Sequence, residues 1–129
     1  MSWKIRITDE AKKDYRRLDG AIRKQVLAGI YKVSQAPLPS PNGYGKPLGN
    51  KNGNNLTGFF KIKYRDIGIR VVYTLSMEDI AMNIVVISER DDSYCYNLAS
   101  VLYKKYGDEI FKDIFNKFEK CSGAFSLTY

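Results

Sequence analysis

From Phe60 to Tyr64, apolar and cationic side chains alternate: Phe60, Ile62 and Tyr64 are interleaved with Lys61 and Lys63, and Arg65 extends the cationic set. A period of two belongs to a strand, whose successive side chains point to opposite faces. One face of this stretch is therefore built to pack, and the other carries three positive charges. Two further runs rich in β-branched and aromatic residues follow, from Ile69 to Leu75 and from Met82 to Ser88. Asp66-Ile67-Gly68 and the stretch from Met77 to Ile80 supply turns between them, which predicts an antiparallel meander. Arg70, just past the first turn, adds a fourth cation to a face whose one nearby carboxylate is Asp66.

The N-terminal half has a different rhythm. Trp3, Ile5 and Ile7 alternate with Lys4 and Arg6, the pattern of a short half-buried strand. Thr8 then reads as an N-cap with Asp9 and Glu10 in the first turn, and Ala11, Tyr15 and Leu18 recur at helical spacing. Asp19 can cap a second helix whose stripe is Ile22, Val26, Ile30 and Val33, ended by Pro37. All four prolines lie between Pro37 and Pro47, and a Gly/Asn-rich stretch from Gly49 to Gly53 follows, so the chain is expected to cross back to the sheet in a long loop. Gly45-Lys46 is no Walker motif, because Ser40 and Pro47 occupy positions that need Gly and Ser/Thr. Beyond Asp91-Asp92, either able to cap, Leu98, Val101, Leu102 and Tyr106 predict a third helix, and Ile110, Ile114 and Phe118 a fourth. The residues from Ser122 to Tyr129 have no strong pattern. The expected fold is α+β: an N-terminal strand and helix hairpin packed on a twisted, mainly antiparallel four-stranded sheet, with extra C-terminal helices.

A chain of 129 residues supports one core. Its net charge of +7 suits an anionic partner, nucleic acid or an acidic protein. The charge is concentrated at the front: residues 1–36 hold nine Lys/Arg against four Asp/Glu, a balance of +5. The start has no apolar segment of a secretory signal and no later run approaches a membrane span, so a soluble cytoplasmic protein is expected. Cys95 and Cys121 are too few for a disulfide framework and, with no histidine in the chain, make no zinc site. Both are expected to be free thiols.

Arg90 follows the last strand and Tyr96 lies near the next helix start, so Lys61, Lys63, Arg70, Arg90 and Tyr96 can converge at the ends of a rigid sheet. Cleaving RNA through its 2′-OH requires a base, charge stabilisation at phosphorus, and a proton or cation for the leaving 5′ oxygen. Histidine usually supplies the first and last. Here they would fall to lysine and arginine, since like charges around a lysine disfavour its protonated form. Arginine forks can hold phosphate oxygens by two-point contacts, and a tyrosine ring can stack on an unpaired base. Alternating charge is also what a solvated sheet face looks like, and strand lysines deter edge-to-edge pairing.

These residues resemble the RelE branch of the RelE/ParE toxin superfamily, bacterial type II toxins that cleave mRNA on the ribosome. The resemblance runs from about Trp3 to Leu102. It rests on Ala11-Lys12-Lys13-Asp14, Gly45-Lys46-Pro47-Leu48, Phe60-Lys61-Ile62-Lys63-Tyr64-Arg65, Gly68-Ile69-Arg70-Val71-Val72-Tyr73, and Ile87-Ser88-Glu89-Arg90 leading to Tyr96. It implies a ribosome-dependent endoribonuclease that needs no metal or other cofactor and leaves a 2′,3′-cyclic phosphate and a 5′-OH. Lys61 and Lys63 would sit by the scissile phosphate, with Lys63 as base. Arg70 would stabilise the phosphorane, Arg90 would act as acid or leaving-group cation, and Tyr96 would stack on a base. Arg65 and Lys46 would bind RNA. The implied partners are a cognate acidic antitoxin, the ribosome and mRNA, with no membrane. Residues 1–102 form the toxin domain on this reading, and residues 103–129 a helical extension packed on it.

Two other readings share the fold: a ParE-like inhibitor of DNA gyrase, and a catalytically degenerate antitoxin-binding protein. The five-residue set favours the nuclease.

Overall fold

The structure, a computed structural model, describes residues 3–39, 41–51, 54–89, 91, 94–101, 104 and 116–117. Strand β1 (Lys4–Ile7) buries Ile5 and Ile7. Helix α1 (Asp9–Arg17) begins where Thr8 Oγ1 accepts from the Ala11 backbone N–H at 3.1 Å. Acidic residues in its first turn and Arg16 and Arg17 in its last complement the helix dipole. Helix α2 (Gly20–Ser34) starts at Asp19, which contributes its carbonyl to Arg23 N–H at 2.8 Å and makes no side-chain cap. Val26, Leu27, Ile30 and Val33 are its buried face.

Strands β2 (Lys46–Lys51), β3 (Asn54–Tyr64), β4 (Ile69–Ser76), β5 (Ala81–Ser88) and β6 (Asn116–Lys117) join β1 in one sheet, in the order β2-β3-β4-β5-β1-β6. Neighbours are antiparallel except β1 and β5, which run parallel. The class and the meander are as the sequence predicts, but the sheet has six strands and not four. One added strand is β2, where prolines and glycines point to a loop. As an edge strand it tolerates Pro47, whose missing N–H is needed by no further neighbour. The other is β6, which pairs with β1 inside the segment expected to be a fourth helix. Ile110, Ile114 and Phe118 lie outside the described residues, as do Cys121 and the stretch from Ser122 to Tyr129. Cys95 is a buried free thiol.

The strand alternation creates two packed faces. On one, Phe60, Ile69, Val71, Tyr73, Ile84 and Ile87 meet the inner stripes of α1 and α2. Phe60 and Tyr73, opposed across β3 and β4, stack with ring centroids 5.3 Å apart. Helix α2 approaches β3 closely at Gly29, where a β-carbon would overlap the Tyr64 ring, and the Tyr64 hydroxyl donates to Val26 O at 2.6 Å.

On the other face, Leu48, Phe59, Val72, Val85 and Val86 are covered by Cys95, Tyr96 and Ala99 of helix α3 (residues 94–101). Asp91 caps it: its Oδ1 accepts from Tyr94 N–H at 2.8 Å and its carbonyl from Cys95 N–H at 3.1 Å. Val101, expected on the inner stripe, is 58% exposed. The inner stripe is Cys95, Tyr96, Ala99 and Ser100; Leu102 and Tyr106 fall outside the described residues.

Two irregularities shape this second face. Val72 pairs with Val86 and Tyr73 with Ile84, which leaves Val85 as a bulge residue. Its carbonyl accepts from the Thr8 hydroxyl at 3.3 Å, so the residue that caps α1 also satisfies the bulge. The bulge turns both Val85 and Val86 toward α3. Between Pro47↔Phe60 and Gly49↔Leu56, β3 runs four positions while β2 runs two, and Gly58 takes φ 91°, a conformation few other residues adopt.

Candidate nucleic-acid interface

Residues directly opposed across antiparallel strands share a face. Lys61 opposes Val72 and Lys63 opposes Arg70 across β3 and β4. Arg70 opposes Ser88 across β4 and β5, and on the outer side Lys46 opposes Lys61. The register thus assembles Lys46, Lys61, Lys63 and Arg70 on the α3 face, beyond the part that α3 covers. Lys61, Lys63 and Arg70 are half-buried; Lys46 and Arg65 are exposed. A shallow cleft of about 160 Å³ opens at the β3–β4 turn, lined by Lys63, Tyr64, Arg65, Gly68, Ile69 and Arg70. It is well below the size of a typical small-molecule site and has the cationic lining that suits a phosphate.

Opposing like charges destabilise a sheet. This face places lysine against lysine and lysine against arginine in neighbouring pairs. A phosphate placed among cations so arranged is favoured electrostatically.

Not every predicted residue joins the cluster. Tyr96 lies on the same side of the sheet but is 4% exposed, packed in the core under α3. Its ring cannot stack on a base unless α3 moves. Arg90 lies outside the described residues. Tyr94 is not among the predicted residues, yet it is 39% exposed at the start of α3 and lines a cavity with Ser88 and Glu89. The signal for it was present in the spacing. With Asp91 as cap, the pairs Cys95/Ala99 and Tyr96/Ser100 define the inner face, and Tyr94 falls outside it.

Two phenols lie too deep for acid–base duty near neutrality. Burial pushes Tyr64 far above its ordinary value, only partly offset by the Ile30 backbone, and burial does the same to Tyr73, whose hydroxyl donates to Pro37 O at 3.0 Å. Farther along the face, Arg6 is buried with its Nε donating to Asn83 Oδ1 at 2.8 Å and its Nη1 3.2 Å from Asp79. Its charge is thereby committed within the fold. Among the described residues, no three His, Cys, Asp or Glu gather as a metal site, and no helix is long and apolar enough to cross a membrane.

Comparison with known proteins places this geometry. No sequence-family model matches the chain. A RelE-like toxin protein of Escherichia coli is 32% identical over 101 residues, covering 78% of this chain and 96% of that protein. The chain belongs to the RelE-like toxin family. Solved structures show the same fold. A mutant of the Escherichia coli toxin RelE in the free state superimposes with a TM-score of 0.62 at 24% identity, over 77% of this chain and 95% of RelE. The isolated Escherichia coli RelE toxin gives 0.56 at 23%, over 81% and 98%. A toxin–antitoxin complex from Mycobacterium tuberculosis gives 0.55 at 25%, over 71% and 95%. This RelE-like toxin therefore carries its cationic row on a sheet of the RelE fold.

Proposed function

We propose that this RelE-like toxin is a ribosome-dependent endoribonuclease that cuts mRNA by attack of the 2′-OH on the adjacent phosphate. The observation that carries the reading is the opposed cation row, Lys63 against Arg70 beside Lys46 against Lys61. In the reaction the O2′–P bond forms and the P–O5′ bond breaks. Lys63 accepts the 2′-OH proton. Arg70 and Lys61 stabilise charge on the non-bridging oxygens of the phosphorane, the kind of preorganised stabilisation that dominates many enzymes. Arg90 holds the position in sequence from which a cation meets the departing 5′ oxygen; that oxygen takes up one proton, from Arg90 or from water, to become the 5′-OH, and Lys63 returns the proton it accepted to solvent. The products are a 2′,3′-cyclic phosphate and a 5′-OH. No metal is assigned a step.

Tyr94, not the buried Tyr96, is the stacking ring in this account, because it is exposed and lines a cavity with Ser88, the cross-strand partner of Arg70. Lys46 and Arg65 hold the RNA backbone. Titratable ring groups are replaced by cations that also bind, so placement by the ribosome supplies much of the rate.

The partner that restrains the toxin is an acidic antitoxin, in keeping with the +7 charge. Structures of RelE-fold toxins with antitoxins, such as the Mycobacterium tuberculosis complex, support this assignment.

The test is reconstituted translation. The purified chain, added to ribosomes carrying a defined mRNA, yields fragments with 5′-OH ends at the A site, and the same mRNA without ribosomes is cut far more slowly. Intact mRNA in both, together with altered supercoiling by DNA gyrase, would move the assignment to the ParE-like reading.

A further inference from the structure

The Lys63–Arg70–Ser88 row leads at its inner end to a second cavity, about 260 Å³ in volume, which the phosphate chemistry does not use. Asp14 and Arg17 of α1 form one wall, Ser88 and Glu89 at the end of β5 another, and Tyr94 a third. Leu18 and Ile87 contribute apolar surface. The volume is below that of pockets for drug-sized molecules and suits one ring system. Its composition is that of a base site: an aromatic ring, an apolar patch, carboxylates that only accept, a guanidinium that only donates and a hydroxyl that does both.

We propose that this cavity receives the base of the nucleotide next to the scissile phosphate, and that the Asp14 and Glu89 carboxylates make it prefer bases with an exocyclic amino group over uracil. The inference rests on the nuclease reading of the neighbouring cations. Ser88 is the direct cross-strand partner of Arg70. Paired strands lie roughly 4.8 Å apart. A phosphate on Arg70 and a base beside Ser88 are thus within the reach of one nucleotide.

The preference follows from donors and acceptors. Adenine, cytosine and guanine each present an amino group that a carboxylate can accept from. Uracil presents two carbonyl oxygens flanking a single imino donor, so a carboxylate facing either oxygen meets another acceptor and is repelled. Asp14 is already held by Arg17 Nη1 at 3.4 Å. Burial nevertheless disfavours its charged form by more than Arg17 relieves, with Glu10 adding to the burden. An amino donor from a base offsets that burden. Arg17, largely exposed, remains able to meet an adjacent phosphate or carbonyl.

The experiment uses ribosomes programmed with short mRNAs that differ only in the nucleotide after the cleaved bond, cut by the full chain as wild type, Asp14→Asn and Glu89→Gln. The readout is the ratio of cleavage rates at A, C or G to that at U, with circular dichroism reporting the fold of each variant. The wild type is expected to discriminate against U by about tenfold, the size of one good base contact. At least one amide variant, able to donate to the uracil oxygens, should lower that ratio by about fivefold or more. If the wild type cuts but the ratio is unchanged in both variants, or all four substrates slow equally, the pocket assignment is overturned and the nuclease reading stands. If the wild type cuts none of the mRNAs, both are overturned.

Discussion

Lys63 on β3 stands directly opposite Arg70 on β4, with both side chains on the sheet face that α3 only partly covers. The next pair outward, Lys46 against Lys61, repeats the juxtaposition. Four cations on three adjacent strands make a surface that suits a phosphate. The fold-determining face and the functional face are back to back on the same strands, so Phe60, Ile62 and Tyr64 fix the register that aligns Lys61 and Lys63.

The opposition of Lys46 to Lys61 costs stability. Replacing Lys46 by Gln removes one member of an opposed pair at the exposed edge, and should raise unfolding stability by about 0.5 kcal/mol at low salt. The gain shrinks as salt screens the charges. The same variant binds ribosomes more weakly and with a shallower salt dependence. Denaturant unfolding at two ionic strengths and ribosome co-sedimentation check both halves; a loss of stability at low salt would contradict the electrostatic account.

Tyr94 and Tyr96 separate activity from folding. Tyr94→Ala should lower cleavage about tenfold or more through lost stacking. Its stability should change by no more than about 0.5 kcal/mol, as for other exposed positions. Tyr96→Ala removes a ring from the core under α3 and should cost about 3 kcal/mol or more. Cleavage assays beside denaturant melts decide the matter, and a destabilised Tyr94→Ala with an unaffected Tyr96→Ala would reverse the assignment.

The sequence made some of this legible and hid the rest for identifiable reasons. Strand β1, the Thr8 cap, both hairpin helices and the meander follow from local period, capping and turn chemistry, and the structure agrees on each. Strand β2 was not legible because Gly49, Asn50 and Pro47 have little strand preference of their own; pairing with β3 at the sheet edge makes the strand. The bulge at Val85 and the parallel pairing of β1 depend on contacts far apart in sequence. At the site, Lys61, Lys63 and Arg70 could be placed on one face from alternation alone. The opposition of Lys46 to Lys61 could not, since it depends on β2. Which tyrosine is exposed depends on the rotation of α3, and that rotation is set by Asp91 as its cap, where the sequence leaves Asp91 and Asp92 equally able to cap.

Gly29 sits in a helix interior, where alanine ordinarily adds about 1 kcal/mol. Here the added carbon meets the Tyr64 ring. Gly29→Ala should therefore destabilise by about 1–3 kcal/mol, the range for overpacked sites. A double-mutant cycle with Tyr64→Ala should show strong coupling. Additive effects would place the clash elsewhere.

Alkaline pH should weaken the fold through Tyr64 and Tyr73. Both phenols are raised above the ordinary value of 10.0, chiefly by burial. Below that value both states are protonated and the contribution is complete. Above it the unfolded chain releases protons that the folded chain keeps, so stability falls as pH climbs toward the folded values. Each tyrosine adds up to about 1.4 kcal/mol per pH unit to that slope. Unfolding measured across this range should be shallower in Tyr64→Phe; an unchanged slope would contradict the burial-driven shift.

The central claim is that the opposed cations cut RNA. Its most direct test is mapping of mRNA 5′ ends on ribosomes after expression without antitoxin, for wild type, Lys63→Ala and Arg70→Ala. The account predicts discrete 5′-OH ends at A-site codons with wild type and a loss of about 100-fold or more in either variant, the scale for removing a transition-state contact. Persistent toxicity in both variants, or intact transcripts with altered DNA supercoiling, would contradict it.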